Sequence, residues 1–276
     1  MHVVTVSRQI GSLGDVIAAI VAREMGYKLI GPEQVHERAN TCDPEYSDAC
    51  RVYDTEKGPG FWERFFFDTP SYTALFKSLT YEFASQGKVV IVGRGSQLIL
   101  KDVPGVFSVR IVAPTTKRIE RVAERYGESK QAASEMVRKH DRDKRALMQS
   151  IFDHDVRDWS LYDTIINTEH YRAEGAAEMV ITGAQNMIVD PEPGDLLAQL
   201  AAMAVAKRLE TVIKKRLTPA VAWQIQVEGE PGGRMIMTGR VADKKHREKA
   251  AEIAEGFPEV TSITNELKVT QVSFGY

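Results

Sequence analysis

Three short stretches of this 276-residue sequence carry residue types that handle phosphate. The first is Ser7-Arg8-Gln9-Ile10-Gly11-Ser12-Leu13-Gly14-Asp15, placed after the β-branched run His2–Ser7 and before a helical pattern. A strand feeding a glycine loop and then a helix leaves backbone N–H groups pointing outward. With the positive end of the helix dipole they form a cradle for an anion such as phosphate. Arg8, Gly11, Ser12 and Gly14 are the binding candidates there. The full phosphate-loop signature is G-x-x-x-x-G-K-[ST]. Here Gln9 stands at its first glycine, Asp15 at its lysine and Val16 at its hydroxyl residue, and only Gly14 keeps its place. Taken alone, the loop reads as a tight βα turn.

The second stretch is Gly93-Arg94-Gly95, directly after the apolar run Lys88–Val92. Ligands of open α/β sheets bind at the carboxyl ends of strands, and two glycines frame Arg94 at such an end. The third is HDRDKRALM, with Asp141, Arg142, Lys144 and Arg145. A charged helix end of this kind reads equally well as a solvated surface. No metal site is expected. Cys42 and Cys50 have no Cys or His pair at ligand spacing, and two free thiols in a reducing cytoplasm are the expectation. His140 and His154 also lack partners at helical or hairpin spacing and read as surface residues.

These candidates need elements to hold them. His2–Ser7, Lys88–Val92 and Phe107–Val112 are short apolar runs of buried-strand type. Val16, Ile17, Ile20, Val21 and Met25 recur at helical spacing up to Gly26, which ends the helix. Residues from about Glu33 to Gly60 are polar and irregular, with helical pieces expected. Phe61, Trp62, Phe65, Phe66 and Phe67 read as packing residues, and Ser71–Ala84 as a helix. Thr115–Arg125 is a basic amphipathic helix, and Ser129–Lys139 a second helix running into the charged segment. Tyr162–Asn167 is a last strand, closed by the helix Ala173–Asn186. Strands alternating with helices imply a mainly parallel sheet with helices on both faces.

Asp190-Pro-Glu-Pro-Gly194 is a turn-rich linker and the expected boundary between a domain at 1–189 and one at 195–276. Beyond it the expected order is α-β-β-α-β: a helix at Asp195–Arg216, a strand with Val221, Trp223, Ile225 and Val227 on one face, and a hairpin turn at Glu230–Gly233. A strand at Arg234–Val241, a helix at Lys244–Glu255 and a final strand carrying Ile263, Leu267 and Val269 complete it. Lys207, Arg208, Lys214, Lys215 and Arg216 read as a solvated helix face.

Composition sets the outer bounds. Hydrophobic residues make up 43% of the chain and charged residues 27%, the balance of a globular protein rather than a disordered one. The net charge of -2 gives no sign of a nucleic-acid partner. No apolar run approaches the roughly 20 residues needed to span a bilayer. The opening MHVVTVSRQIGSLGD has no basic start followed by an apolar core, so a cytoplasmic location is expected.

Four segments together resemble the cytidylate-kinase-like family: SRQIGSLGDVIA at 7–18, IVGRGSQLIL at 91–100, RIERVAERYGESKQAASEMVRKHDRDKRA at 118–146 and YDTIINTEH at 162–170. They occur in the family's order. The resemblance implies a P-loop NTPase-like α/β fold and transfer of the γ-phosphoryl of ATP to CMP or dCMP, with Mg²⁺. Phosphoryl transfer needs positive groups clamped on the moving phosphoryl and water excluded. By resemblance Arg94 would hold the acceptor's phosphate, and Arg8 would reach the phosphate loop. Arg142, Lys144 and Arg145 would close on the donor phosphates, and Asp141 would orient an arginine or sit near Mg²⁺. The sequence departs from the family at Asp15, where relatives have a basic residue, at Val16, and at Val92, where cytidylate kinases place an acid before Gly-Arg. The alternative is therefore a nucleotide-sensing protein that turns over weakly or not at all.

MTGRVADKKHREKAAEIAEGFPEVTSITNELKV at 237–269 resembles a BON domain. Gly239 and Asn265 read as structural within it. The expected partners are a nucleotide and, through the BON domain, a protein or a second copy of the chain. Membrane contact is not expected.

Overall fold

The computed structural model describes residues 3–42, 69–188, 196–217 and 224–270. In chain order the elements are β1 (Val3–Arg8), α1 (Gly14–Met25), β2 (Lys28–Ile30), α2 (Pro32–Cys42), α3 (Thr69–Ala84), β3 (Val89–Val92), α4 (Ser96–Ile99), β4 (Val106–Val112), α5 (Thr115–Tyr126) and α6 (Lys130–Phe152). There follow β5 (Thr164–Asn167), α7 (Ala173–Gln185), α8 (Leu196–Arg216), β6 (Gln226–Glu230), β7 (Arg234–Thr238), β8 (Arg240–Val241), α9 (Lys244–Glu255), β9 (Ser262–Asn265) and β10 (Lys268–Val269). They form two compact units. One comprises residues 1–35 and 86–193, the other 36–85 and 194–276. Residues 36–85 thus group with the C-terminal part. The expected linker at 190–194, the aromatic run at 61–67, Cys50, Val221 and Trp223 lie outside the described residues.

The first unit is built on a five-stranded parallel sheet in the order β2-β3-β1-β4-β5. β1 and β3 are buried along their lengths, which is why they read as unbroken β-branched runs. Val4 and Val6 pack with Ile17 and Val21 of α1 and Val180 and Ala184 of α7. Val3, Thr5 and Ser7 alternate with them and are equally buried, so both faces are covered. The chain leaves β1 toward β2 on one side of the sheet, and later leaves β3 toward β4 on the other. The carboxyl ends of β1 and β3 therefore flank the point where the connections diverge, the place at which ligands of open α/β sheets bind.

β2 was not expected, and its three residues are too few to show a period. The helix expected at Ser129–Lys139 continues through the charged segment: α6 is a single 23-residue helix, capped at its start by Ser129.

In the second unit α8 packs along α3 and against β6. The core joins Leu209 and Ile213 of α8, Val227, Met235 and Met237 of the sheet, and Ala250, Ile253 and Ala254 of α9. The strand expected at Arg234–Val241 is broken at Gly239. β7 pairs with β6 and β9, while β8 pairs with β10. Gly239 has φ 116, and a Cβ there would lie 2.1 Å from the Gln224 carbonyl oxygen, so only glycine lets the strand change sheets at this point. The expected final strand is divided in the same way into β9 and β10. Asn265 ties this corner together: its Oδ1 accepts from the Leu267 N–H, and its carbonyl accepts from Arg247.

The solvated face expected on α8 needs correction at Lys207 and Lys214. Both turn inward to Glu210. Arg208 pairs with Glu259 and lies over the Phe257 ring, and only Lys215 and Arg216 remain exposed. Among the described residues no helix is long and apolar enough to cross a membrane.

Candidate functional site

The loop leaving β1 is shaped by close contacts. Gly11 has φ 73, and a Cβ on it would lie 2.7 Å from the Arg118 carbonyl oxygen of α5. A Cβ on Gly14 would lie 2.3 Å from Arg8 Cβ. Both glycines are thus required by neighbouring protein atoms. Ser12 is fully buried, and its hydroxyl donates to the Gln9 carbonyl at 2.8 Å, closing the turn from within. Leu13, with φ 67, precedes α1 and offers no side-chain cap. The first N–H groups of α1 therefore face outward without an intrahelical partner.

Basic side chains from α5 fasten this loop from behind. Arg118 is 2% exposed and makes a two-pronged ion pair with Asp141 of α6, at 3.0 and 2.7 Å. It also reaches the Ile10 carbonyl at 3.5 Å. Arg121 donates to the Gly11 carbonyl at 3.3 Å and to both oxygens of Thr168. Thr168 in turn donates to the Ser12 carbonyl at 2.9 Å. Asp141 is thus engaged by Arg118.

Cations also collect at the carboxyl end of β1. The Arg8 side chain crosses toward β3, close enough that a Cβ on Gly93 would sit 2.5 Å from its Nη1. Its Nε donates to Asp15 at 2.8 Å. Lys144 of α6 donates to the Arg8 carbonyl at 2.5 Å. The stem of Lys144 is half-exposed, but its ammonium is enclosed. Burial, followed by the Arg8 and Arg110 guanidiniums, pushes the ammonium well below the ordinary lysine range, while Asp15 and Asp141 pull the other way. Arg110, in the middle of β4, is buried and donates to Ser7 Oγ and Tyr162 Oη, both at 3.2 Å. His140 keeps an exposed surface, yet shielding of its ring and the nearby Lys144 and Arg8 lower its pKa to about 4, so it is neutral near pH 7.

Arg94 is buried at the end of β3, with φ 62 between two left-handed glycines. Beside it, Ser96 begins α4. Its hydroxyl is fully buried and has no hydrogen-bond partner among the described residues. The structure thus brings Arg8, Gly14 and Lys144 together at β1 and sets Arg94 at the neighbouring strand end. Arg142 and Arg145 are not brought in. They lie on the exposed side of α6, and Arg142 faces Asp143 at 3.6 Å. Three residues that sequence reasoning passed over belong to the site's framework: Arg110, Arg118 and Arg121. Arg110 did carry a signal, since a lone charge inside an apolar strand is rarely buried without a purpose.

A parallel sheet covered on both faces, with a glycine turn leading from its central strand into a helix, defines an α/β protein of the P-loop NTPase-like type. The sequence profile of the cytidylate kinase-like family matches residues 3–170, and that of the BON domain matches residues 204–271. The chain belongs to the cytidylate kinase-like family and carries a BON domain. It is 26% identical over 185 residues to a cytidylate kinase of Archaeoglobus fulgidus, covering 66% of this chain and 94% of that protein. To a cytidylate kinase of Pyrococcus horikoshii it is 33% identical over 99 residues, 36% of this chain and 50% of that protein. A solved structure of a protein from Eubacterium ventriosum shares the fold with a TM-score of 0.53 at 20% identity, over 68% of this chain and 100% of that one.

Proposed function

We propose that the first unit is a nucleoside monophosphate phosphotransferase that moves the γ-phosphoryl of ATP to CMP or dCMP. The observation that carries this reading is the position of Lys144. The phosphate loop lacks its own lysine, and a lysine from α6 instead ends at the Arg8 carbonyl, at the mouth of the same loop. Together with Arg8 and Arg110 it gives the β1 carboxyl end a surplus of positive charge, for which Asp15 is the nearby counter-charge left once Asp141 is engaged by Arg118. A triphosphate supplies the charge that this surplus lacks.

The residues take roles accordingly. The outward N–H groups at the start of α1 receive the donor phosphates, with Lys144 and Arg8 as point charges on them. Arg94 holds the acceptor's phosphate, and the unpartnered hydroxyl of Ser96 beside it is a ready donor. Asp141 acts as a positioning residue through Arg118. Arg142 and Arg145 reach the phosphates only if α6 shifts as a whole on closure. Among the described residues no group of three or more acids, cysteines or histidines is gathered for a metal. Magnesium would come bound to the nucleotide and would neutralise part of its phosphate charge.

The ion pair between Arg8 and Asp15 supports a second reading, in which nucleotide binds without turnover and the BON domain relays its presence to a protein partner. Calorimetric titration with ATP–Mg²⁺ and then CMP, followed by an ADP-release assay on the same sample, separates the two. Binding with ADP release on CMP addition is the expected result. Binding without release favours the sensor, and absence of binding to either nucleotide refutes both.

A further inference from the structure

The second unit holds a charge cluster that the nucleotide site does not use. α8 places Lys207, Glu210 and Lys214 on one face, at spacings of three and four residues. Glu210 and Lys214 are 4% and 8% exposed. Glu210 Oε2 accepts from Lys207 Nζ at 2.7 Å and from the Val227 N–H at 3.0 Å, and its Oε1 accepts from Lys214 Nζ at 2.5 Å. α3, packed along α8, brings Lys77 within electrostatic reach of all three. The two helices are pinned there by Ser78, whose hydroxyl donates to the Ala204 carbonyl at 2.9 Å. Lys77 has no hydrogen-bond or ion-pair partner among the described residues, and among them Glu210 is the carboxylate that acts on it.

Three ammonium groups therefore share one carboxylate whose oxygens are already taken. Two positive charges are left over in a place largely removed from water, where charge is costly unless paired. Each of Lys207 and Lys214 has three N–H donors and spends one on Glu210. We propose that Lys77, Lys207 and Lys214 form a binding site for a small dianion, the phosphate group of a monoester. Such a group carries about −1.5 to −2 charge near neutral pH and offers three strong acceptor oxygens, which matches both the charge left over and the donors left unused. In its absence, burial lowers the Lys77 pKa, with Lys207 and Lys214 acting in the same direction and Glu210 against them. Binding the dianion stabilises the charged form of Lys77.

The test is calorimetric titration of the full chain with inorganic phosphate near neutral pH, in the Arg8→Ala background to weaken the nucleotide site, with and without a Lys77 substitution so that the difference reports the second unit alone. Saturable binding is expected. Lys77→Met should weaken it by about tenfold or more. Lys77→Gln replaces that variant if circular dichroism shows Lys77→Met to be unfolded. Unchanged affinity in the folded Lys77 variant, or no saturable binding, overturns the proposal. Co-sedimentation with vesicles containing phosphatidic acid, lost on the Lys77 substitution and absent with phosphatidylcholine alone, assigns the phosphate to a lipid headgroup. Phosphate binding without co-sedimentation assigns it to a soluble ester.

Discussion

Replacing Lys144 by methionine separates a functional charge from a structural one. Methionine keeps most of the stem and removes the ammonium with its 2.5 Å hydrogen bond to the Arg8 carbonyl. An ammonium about 4 Å from a phosphate is worth about 4 kcal/mol at an effective dielectric of 20. Loss of one preorganised donor in a phosphoryl-transfer site costs roughly 100-fold to 1,000-fold in turnover. Lys144→Met should therefore lower kcat/KM by about 100-fold or more in the coupled ADP-release assay. Stability should behave differently, because enclosure among Arg8 and Arg110 disfavours the charge on Lys144 in the folded chain. Denaturant unfolding of the variant should show equal or slightly greater stability, by up to about 1 kcal/mol. The sign with pH follows. The native state releases the Lys144 proton at lower pH than the unfolded chain does, so stability should rise with pH between the depressed value and the ordinary 10.5. The variant should lack that rise. Unchanged kcat/KM refutes the assignment of the loop's charge to Lys144, and a stability loss of about 2 kcal/mol or more refutes the argument that its ammonium is poorly accommodated.

Three further outcomes follow from the same geometry. Asp15→Asn removes a carboxylate that competes with phosphate for Arg8, and should tighten ATP binding by about tenfold in a calorimetric titration; weaker binding would mean that Asp15 holds Arg8 in its working position. Gly239→Ala sets a Cβ 2.1 Å from the Gln224 carbonyl at a left-handed φ, and should destabilise the second unit by about 3 kcal/mol or more in thermal unfolding. Glu210→Gln leaves Lys207 and Lys214 without their carboxylate and should cost about 3–5 kcal/mol in denaturant unfolding. Burial raises the Glu210 pKa, but Lys207 and Lys214 outweigh it and leave it lowered, so its contribution should be present above the ordinary 4.5 and fade as pH falls below it.

The centre of the sheet was legible because β1 and β3 are buried on both faces and carry near-continuous β-branched runs. The short β2 was not, since three edge residues show no period. Gly239 could be seen as a turn, but its division of one apolar run between two sheets depends on the Gln224 backbone, a contact no local pattern encodes. At the candidate site, Arg8, Gly14 and Arg94 were legible from the strand–glycine–helix order. Lys144 carried no mark that set it apart from Arg142 and Arg145 in the same charged run. Only the phase of α6 turns Lys144 to the end of β1 and the other two to solvent. Lys207 and Lys214 were misread for a related reason: basic residues at a helix end look solvated until a buried carboxylate one turn away claims them.

The hydrogen bond from Lys144 to Arg8 joins residues 136 positions apart. In the usual phosphate loop the lysine belongs to the loop, so charge and cradle form together from neighbouring residues. Here the turn and the lysine at its mouth are encoded far apart in the chain, and the contact has a high loop-closure cost. A nascent chain that has just completed β1, α1 and β2 possesses the turn but not the charge. On the proposed function, nucleotide affinity arrives late, when α6 docks, and bound nucleotide holds together two segments far apart in the chain. Ligand should accordingly slow global unfolding more than a loop with its own lysine would, because release of α6 and loss of the nucleotide become a single event.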